Sequence, residues 1–250
     1  MKIGASTLAT FNDSLKSSLE FIENLGIEYA ELLHQYPNEK IDSDVLNSFN
    51  LKYTIHAPFM DVNIASLSTK SRNISIEQIK DSIDLANEID ASVVVVHPGL
   101  VPFILKEMPE KIYPIANKSI KELGEYSQDL GVNTTIENMP NFESMIYQDM
   151  TKLNEILVEF DMGMTLDIGH AHHSKIPENE MYFDSIKHIH IHDNMGDDDT
   201  HLSLGEGNIQ FKHIIDTFHE KNYDGIYMIE VNNKDSIKKS LEYLKKITNF

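Results

Sequence analysis

Nine side chains of the types that bind divalent metals lie at or just after the ends of predicted strands. Histidine, aspartate and glutamate together are the ligand set for zinc, manganese or iron. A random surface would not place them at one end of successive strands, so the pattern predicts an active site holding several metals. The nine are His56, His97, Glu137, Asp167, His170, His190, Asp199, His201 and Glu230.

These residues need a scaffold, and the sequence alternates short β-rich runs with amphipathic helical runs. The predicted strands are Lys2–Ser6, Tyr29–Leu33, Tyr53–His56, Ser92–His97, Val132–Glu137, Met164–Asp167, His188–Ile191 and Ile226–Glu230. The predicted helices are Ser14–Asn24, Asp44–Phe49, Ile76–Ile89, Tyr113–Leu130, Thr151–Phe160, a short one at Glu178–Ser185, Phe211–Lys221 and Asp235–Ile247.

Eight strand–helix units without a break in composition predict one (β/α)₈ TIM barrel, of class α/β, as a single domain over residues 1–250. The run Val93–Val96 is apolar throughout, as in a parallel strand buried on both faces. Gly26 and Gly131 each follow a helical run and precede a strand, as C-terminal caps do.

The barrel also predicts where the nine residues meet. Active sites of such barrels lie at the C-terminal ends of the strands. Each strand from the third to the eighth brings a metal-binding residue type to or near that end, and the loops after strands six and seven add His170, Asp199 and His201. His192 is expected beside the site, and His188 is expected as a hydrogen-bonded interior residue.

Composition limits the partners. The formal charge is −19, and Arg72 is the only arginine among 21 basic residues. Arginine is the preferred residue for bidentate phosphate recognition, so extensive contact with nucleic acid is not expected. Cysteine is absent, and no run approaches the roughly 18 apolar residues that span a bilayer. The N-terminus lacks the apolar region of a signal peptide, and a cytoplasmic location is expected.

Local motifs surround the nine residues and occur in a fixed order along the chain. Together they resemble the xylose-isomerase-like superfamily of TIM barrels, and within it most closely endonuclease IV (AP endonuclease family 2). The motifs are His56-Ala57-Pro58-Phe59, His97-Pro98-Gly99, Glu137-Asn138, Asp167-Ile168-Gly169-His170, His190-Ile191-His192-Asp193, Asp199-Thr200-His201 and Ser203-Leu204-Gly205-Glu206-Gly207-Asn208-Ile209.

The resemblance implies a site for up to three Zn²⁺ ions, with Mn²⁺ or Fe²⁺ as alternatives. It assigns His56 and His97 to the first metal, with Glu137 bridging to the second. Asp167, His190 and Glu230 would complete the second metal's ligands, and His170, Asp199 and His201 would hold the third. The implied reaction is phosphoester hydrolysis, on abasic DNA or on a smaller phosphodiester, which clustered metals favour.

Two alternatives remain open at the level of sequence. A sugar or sugar-phosphate isomerase or epimerase would need only the second metal, with Glu137 and Glu230 exchanging protons at carbon and His170 binding substrate. Against it, ketose 3-epimerases carry an arginine six residues after the histidine ligand, where this chain has Gly196. The other alternative is a metal-stabilised binding protein without catalysis.

Overall fold

The computed structural model describes residues 1–248, in which eight parallel strands close into a barrel in chain order. The strands are β1 (Lys2–Ser6), β2 (Tyr29–Leu33), β3 (Lys52–His56), β4 (Val94–Val96), β5 (Thr134–Glu137), β6 (Gly163–Asp167), β7 (Ile186–Ile191) and β8 (Ile226–Ile229). The helices are α1 (Leu15–Asn24), α2 (Ser43–Leu46), α3 (Thr69–Ile89), α4 (Tyr113–Leu130), α5 (Met150–Glu159), α6 (Ile168–His173), α7 (Phe211–Glu220) and α8 (Lys234–Ile247). The predicted (β/α)₈ barrel is confirmed.

Most elements lie within one or two residues of the predicted bounds, and the larger differences have local causes. The fourth strand is shorter than predicted, so His97 lies just after β4. Helix α3 begins at Thr69, seven residues before the predicted start, because Ser68 caps it by accepting a hydrogen bond from Ser71 N at 3.3 Å. The predicted helix at 44–49 is the four-residue α2, whose N-cap is Asp42.

The predicted helix at Glu178–Ser185 is wrong. Only a 3₁₀ turn, Glu178–Glu180, forms there, and the helix after the sixth strand is α6. Asp167 is its N-cap and accepts a hydrogen bond from His170 N at 2.7 Å. The segment Ile168–His173 has no amphipathic repeat, which is why the sequence pattern did not reveal this helix.

The core lies between the barrel and its helices. Ile76, Ile79 and Ile83 of α3 recur at helical spacing and are all buried, as the sequence predicted. Helix α4 ends at Gly131, whose φ of +71° is the left-handed conformation that a C-terminal glycine supplies at low cost.

The interior of the barrel is partly polar, and this sets the environment of the site. Thr135 and Thr165, on the neighbouring strands β5 and β6, share a hydrogen bond of 2.6 Å. Glu31 of β2 reaches His188 of β7, a strand that is not its neighbour, so the two side chains meet inside the barrel. Buried polar groups of this kind are stable only when they are paired.

In residues 1–248, no helix is both long enough and apolar enough to cross a membrane.

Two isoleucines of α3 test the assignment of its buried face. Ile83 is fully buried, whereas Ile74 is 54% exposed. We expect Ile83→Ala to lower the free energy of unfolding by about 2–5 kcal/mol, because it removes buried methyl groups and leaves a cavity. Ile74→Ala is expected to change it by less than about 0.5 kcal/mol. Chemical denaturation of both variants measures the difference, and equal losses would contradict the assigned face.

Candidate metal centre

The nine predicted residues converge at the C-terminal end of the barrel, in three groups of side chains. The proximal group is His56, His97 and Glu137. The central group is Glu137, Asp167, His190 and Glu230. The outer group is His170, Asp199 and His201 together with His192, which the resemblance did not assign as a ligand. Within each group, one ligand atom per residue lies within 4.8 Å of every other.

Glu137 connects the proximal and central groups through its two carboxylate oxygens. Its Oε2 lies 3.6 Å from His56 Nε2 and 3.3 Å from His97 Nε2. Its Oε1 lies 3.4 Å from His190 Nδ1, on the side of the central group. A carboxylate can bridge two cations because each oxygen has its own lone pairs, so this geometry suits the bridging role that the resemblance implies.

The central group places three carboxylates around one imidazole nitrogen. His190 Nδ1 lies 3.1 Å from Glu230 Oε2, 3.4 Å from Glu137 Oε1 and 4.0 Å from Asp167 Oδ2. These side chains come from the ends of β5, β6, β7 and β8, so four adjacent strands define one small volume.

The outer group is built around Asp199. One carboxylate oxygen lies 3.2 Å from His170 Nε2 and 3.3 Å from His201 Nε2. The other lies 3.4 Å from His192 Nε2, which is also 3.1 Å from Asp167 Oδ1. His192 therefore lies between the central and outer groups and contacts a carboxylate of each. The sequence analysis expected it only beside the site.

Main-chain carbonyls orient three of the histidines. His56 Nδ1 donates to Ala57 O at 2.8 Å, His170 Nδ1 to Asn138 O at 2.9 Å, and His201 Nδ1 to Glu230 O at 2.9 Å. A carbonyl only accepts, so the proton of each neutral ring is on Nδ1 and the lone pair is on Nε2. Each Nε2 then faces a carboxylate of its group, as in metal sites whose ligand orientation is fixed by an outer hydrogen bond.

The loop after β7, which carries Asp199 and His201, is held by a buried carboxylate. Asp193 accepts hydrogen bonds from Asn194 N, Gly205 N and Ile209 N at 3.0, 2.9 and 3.2 Å. The motif from Ser203 to Ile209 thus fixes the end of this loop to Asp193 through main-chain hydrogen bonds. It needs glycine at 207, because a Cβ there would lie 2.2 Å from Asp193 Oδ1. His201 itself has a φ of +46°, a conformation that non-glycine residues rarely adopt.

Unpaired polar atoms in the three groups indicate that these residues suit divalent cations. Both oxygens of Glu137, Asp167 Oδ2, Asp199 Oδ1 and His190 Nδ1 are buried without a hydrogen-bond partner among the described residues. Buried polar atoms in folded proteins normally have a hydrogen-bond partner, so several unpaired acceptors around one small space are unusual. Cations with oxygen and nitrogen ligands would satisfy them together. The sequence-based choice of Zn²⁺ over Mn²⁺ or Fe²⁺ stays a prediction.

Charge inside the centre shifts the pKa values strongly. Burial alone would raise the pKa of Glu137, but the nearby charge of His190 holds it well below the ordinary value. Burial alone would lower the pKa of His170 and of His201. Neighbouring carboxylates outweigh it, mainly Asp167 for His170 and Asp199 for His201, and raise the two values to about 10 and about 9. In the absence of a cation, His170 and His201 therefore hold protons that offset the charge of the carboxylates.

Solvent reaches the centre at one side. The side chain of His97 is 23% exposed and that of His201 is 17% exposed, whereas the central group is almost closed. Phe59 stacks on His97, with 5.1 Å between ring centroids, and forms part of the mouth. A separate cleft of about 940 Å³ lies between the segments after β2 and β3 and one face of α3. Tyr36 and Met60 line it, and none of the nine ligand-type residues does.

Sequence reasoning missed Glu31. It lies in the middle of β2, inside the run Tyr29–Leu33, and contacts both His188 and His190. The available signal was a charged residue at the centre of an otherwise apolar strand. Two further histidines that are close in sequence to ligands lie outside the three groups. His172 bonds Asn208 at 2.7 Å, and His173 packs against Phe142.

Comparison with known proteins identifies the family. A family model described as Xylose isomerase-like TIM barrel matches residues 13–247. The chain belongs to this family. The match covers all nine ligand-type residues, and the superfamily resemblance inferred from the motifs is confirmed.

Relatives with named activities fall into the two enzyme classes that the sequence left open. A solved structure of a D-tagatose 3-epimerase-like protein has a TM-score of 0.88 and 34% identity, covering 99% of this chain and 97% of that one. Fructoselysine 3-epimerase of Shigella flexneri is 24% identical over 64% of this chain and 59% of that enzyme. Probable endonuclease 4 of Malacoplasma penetrans is 24% identical over 67% and 63% of the two chains. The chain is an enzyme of this family, and its whole length resembles the epimerase-like structure.

Proton competition gives a test of the outer group. His170 and His201, with pKa values of about 10 and about 9, must lose their protons before they can bind a cation. We expect the apparent affinity for Zn²⁺ to rise with pH from 6.5 to about 9. Because binding releases protons, the enthalpy measured by titration calorimetry should vary with the ionisation enthalpy of the buffer. His213→Ala, which alters a histidine of α7 outside the groups, should match the parent protein. An affinity independent of pH over this range would contradict the assignment.

Proposed function

We propose that the chain is a metal-dependent isomerase or epimerase of a small sugar, in which Glu137 and Glu230 form the acid–base pair. The observation that carries the proposal is the central group. Two glutamates from β5 and β8 share one volume with Asp167 and His190, with ligand atoms within 4.8 Å of one another. The whole-length likeness to a D-tagatose 3-epimerase-like structure supports the same class.

The two glutamates suit proton transfer at carbon. One carboxylate takes a proton from the carbon next to the sugar carbonyl, and the other returns a proton from the opposite face, which inverts that carbon. Both carboxylates are held ionised, because nearby histidine charge, chiefly that of His190, lowers the pKa of each against the effect of burial. A divalent cation bound by the central group would polarise the carbonyl and hydroxyl oxygens of the sugar and so acidify the carbon-bound proton.

His170 is placed to contact the substrate from the side of the outer group. Its Nδ1 lies 3.4 Å from Glu137 Oε1, and its backbone is fixed by the Asp167 cap at the start of α6. We assign it to binding a sugar hydroxyl. Gly196 stands where ketose 3-epimerases have an arginine. The substrate oxygens that such an arginine would hold must therefore be bound by other groups of this chain.

Phosphoester hydrolysis is the second candidate, and the proximal and outer groups favour it. A proton transfer at one cation leaves His97 and His201 without a catalytic role, whereas three clustered cations suit the displacement at phosphorus. The net charge of −19 and the single arginine count against a long DNA substrate, since a protein that contacts many phosphates needs cations to replace released counterions. A small phosphodiester remains the hydrolytic alternative.

Isosteric changes of the two glutamates test the main proposal. We expect Glu137→Gln and Glu230→Gln each to lower the rate of ketose epimerisation by about 10²–10⁴-fold, because each removes a base at the reacting carbon. Incorporation of solvent deuterium at that carbon, followed by NMR over a panel of ketoses and ketose phosphates, measures the step directly.

Glu206→Gln is the matched control for these variants, because Glu206 is a surface carboxylate paired with Lys239 at 2.7 Å. It should retain the parent rate. Deuterium incorporation that persists in Glu137→Gln or Glu230→Gln at the parent rate would refute the acid–base assignment.

One variant separates the two enzyme classes. His201→Ala removes a ligand-type residue of the outer group and leaves all four side chains of the central group in place, while the hydrogen bond to the main-chain carbonyl of Glu230 is lost. Epimerisation should fall by less than about tenfold, since its acid–base pair remains in place. Hydrolysis of a phosphodiester or of abasic duplex DNA, assayed beside it with Zn²⁺ and Mn²⁺, would instead be abolished. If the parent protein hydrolyses a phosphodiester and this variant does not, the result would support phosphoester hydrolysis over epimerisation.

A further inference from the structure

Glu31 is a fully buried carboxylate to which the proposed reaction gives no role. It lies at the third position of β2, in register with Ser6 of β1 and Thr54 of β3. Its exposure is 0%, so solvent does not compensate its charge. An ionised carboxylate in such a place costs several kcal/mol unless hydrogen bonds or opposite charge stabilise it, and the contacts of this side chain therefore indicate what it does.

The polar contacts of the Glu31 carboxylate come from two strands. His190 Nε2 lies 3.2 Å from Oε1 and 3.3 Å from Oε2. His188 Nε2 lies 3.1 Å from Oε2, and Thr54 Oγ1 donates to the same oxygen at 3.1 Å. The Glu31 side chain thus points into the interior of the barrel. Its two carboxylate oxygens lie at nearly equal distances from His190 Nε2.

This contact determines which nitrogen of His190 faces the central group. A carboxylate accepts hydrogen bonds, so Nε2 carries the proton and, in the neutral ring, Nδ1 carries the lone pair. Nδ1 is the atom that lies between Glu230, Glu137 and Asp167. His56, His170 and His201 use neutral main-chain carbonyls for the same purpose, whereas the acceptor for His190 is charged and makes the stronger hydrogen bond.

We propose that Glu31 is a positioning residue of the metal centre: through His190 Nε2 it fixes the tautomer and the orientation of the ring, so that Nδ1 serves as the nitrogen ligand of the central group. The inference rests on the metal centre within the proposed function and not on the sugar chemistry. A charged acceptor also raises the basicity of the ligating nitrogen, which strengthens its bond to a cation.

The same three residues could be taken for another metal site, since ligand atoms of Glu31, His188 and His190 also lie within 4.8 Å of one another. Their contacts argue otherwise. An ion there would have to displace the proton of His190 Nε2, and the ring would then bridge two cations as an anion. His188 and His190 already lie within hydrogen-bond distance of Glu31 Oε2, whereas Nδ1 of His190, on the side of the central group, has no hydrogen-bond partner among residues 1–248.

Cobalt binding to the intact chain tests the proposal without any substrate. In Glu31→Gln an uncharged amide replaces the carboxylate at nearly the same size. We expect the Co²⁺ affinity of the tightest site, measured by competition with a chromophoric chelator, to fall by about 10–100-fold. The visible absorption of the bound Co²⁺ should also change, because the nitrogen donor from His190 is altered. The number of ions bound at saturation should stay the same, and a loss of one ion would indicate a metal site at Glu31 instead.

Ser119→Ala is the control for a general loss of stability. Ser119 is a buried polar residue of α4 that donates to Ile64 O at 2.7 Å, away from the centre. Thermal unfolding in the presence of a chelator ranks the variants by stability alone. A fall in Co²⁺ affinity in Glu31→Gln that is no larger than in Ser119→Ala, with an unchanged spectrum, would overturn the positioning role and leave a structural one.

Thr54→Val provides a second route if Glu31→Gln does not fold. It removes one hydrogen bond to the Glu31 carboxylate and leaves every ligand in place. We expect a fall of a few-fold in Co²⁺ affinity, and an unchanged affinity would overturn the proposal. None of these measurements involves a sugar, so failure of the isomerase proposal alone would leave the cobalt results as expected.

Discussion

The structure depends on the electrostatics of several carboxylates confined to one end of a barrel. Glu31, Glu137, Asp167 and Glu230 are each at most 5% exposed, and Asp199 lies beside them. Like charges at such distances repel strongly in a medium that water does not reach. Neighbouring carboxylates raise the pKa values of four histidines above the ordinary value, and these histidines supply the opposing charge when protonated: His56, His170, His190 and His201. Cations would supply it when the histidines are neutral, so the histidines and the metal ions neutralise the same charges.

This constraint explains the shape of the surrounding elements. Helix α6 begins directly after β6, because Asp167 serves as its N-cap and must remain close to the centre. The long loop after β7 is tied down by Asp193, because Asp199 and His201 can hold a common ion only if their positions are fixed. The interior of the barrel is polar for the same reason, because Nε2 of His190 needs a hydrogen-bond acceptor there, and Glu31 provides it.

The sequence predicted the barrel and the nine converging residues, because both follow from patterns within single elements. Strands β1 and β2 match the predicted bounds, and each strand from β3 to β8 ends at or near a ligand-type residue. What it could not predict were contacts across the barrel. Glu31 and His190 are 159 residues apart, and no periodicity relates them.

The helix predicted at Glu178–Ser185 was wrong for a related reason. The helix after the sixth strand, α6, begins at a single capping carboxylate, that of Asp167, and has no apolar face that a sequence pattern could reveal. The motif-based preference for hydrolysis rested on the number of ligand-type residues, whereas the structural likeness over the whole chain is to a D-tagatose 3-epimerase-like protein.

The ligand-type side chains are unevenly distributed around the ring of strands. In the described part of the chain, the three groups draw on β3 to β8 and the loops after them, and take nothing from the loops after β1 and β2. The cleft lined by Tyr36 and Met60 lies between the segments after β2 and β3 and one face of α3. Substitutions in the segment after β2 would change this cleft without replacing any ligand-type side chain. Descendants of one ancestral gene could in this way diverge in substrate while inheriting the same inorganic chemistry, and a protein engineer could exchange the short loop after β2 for the same purpose.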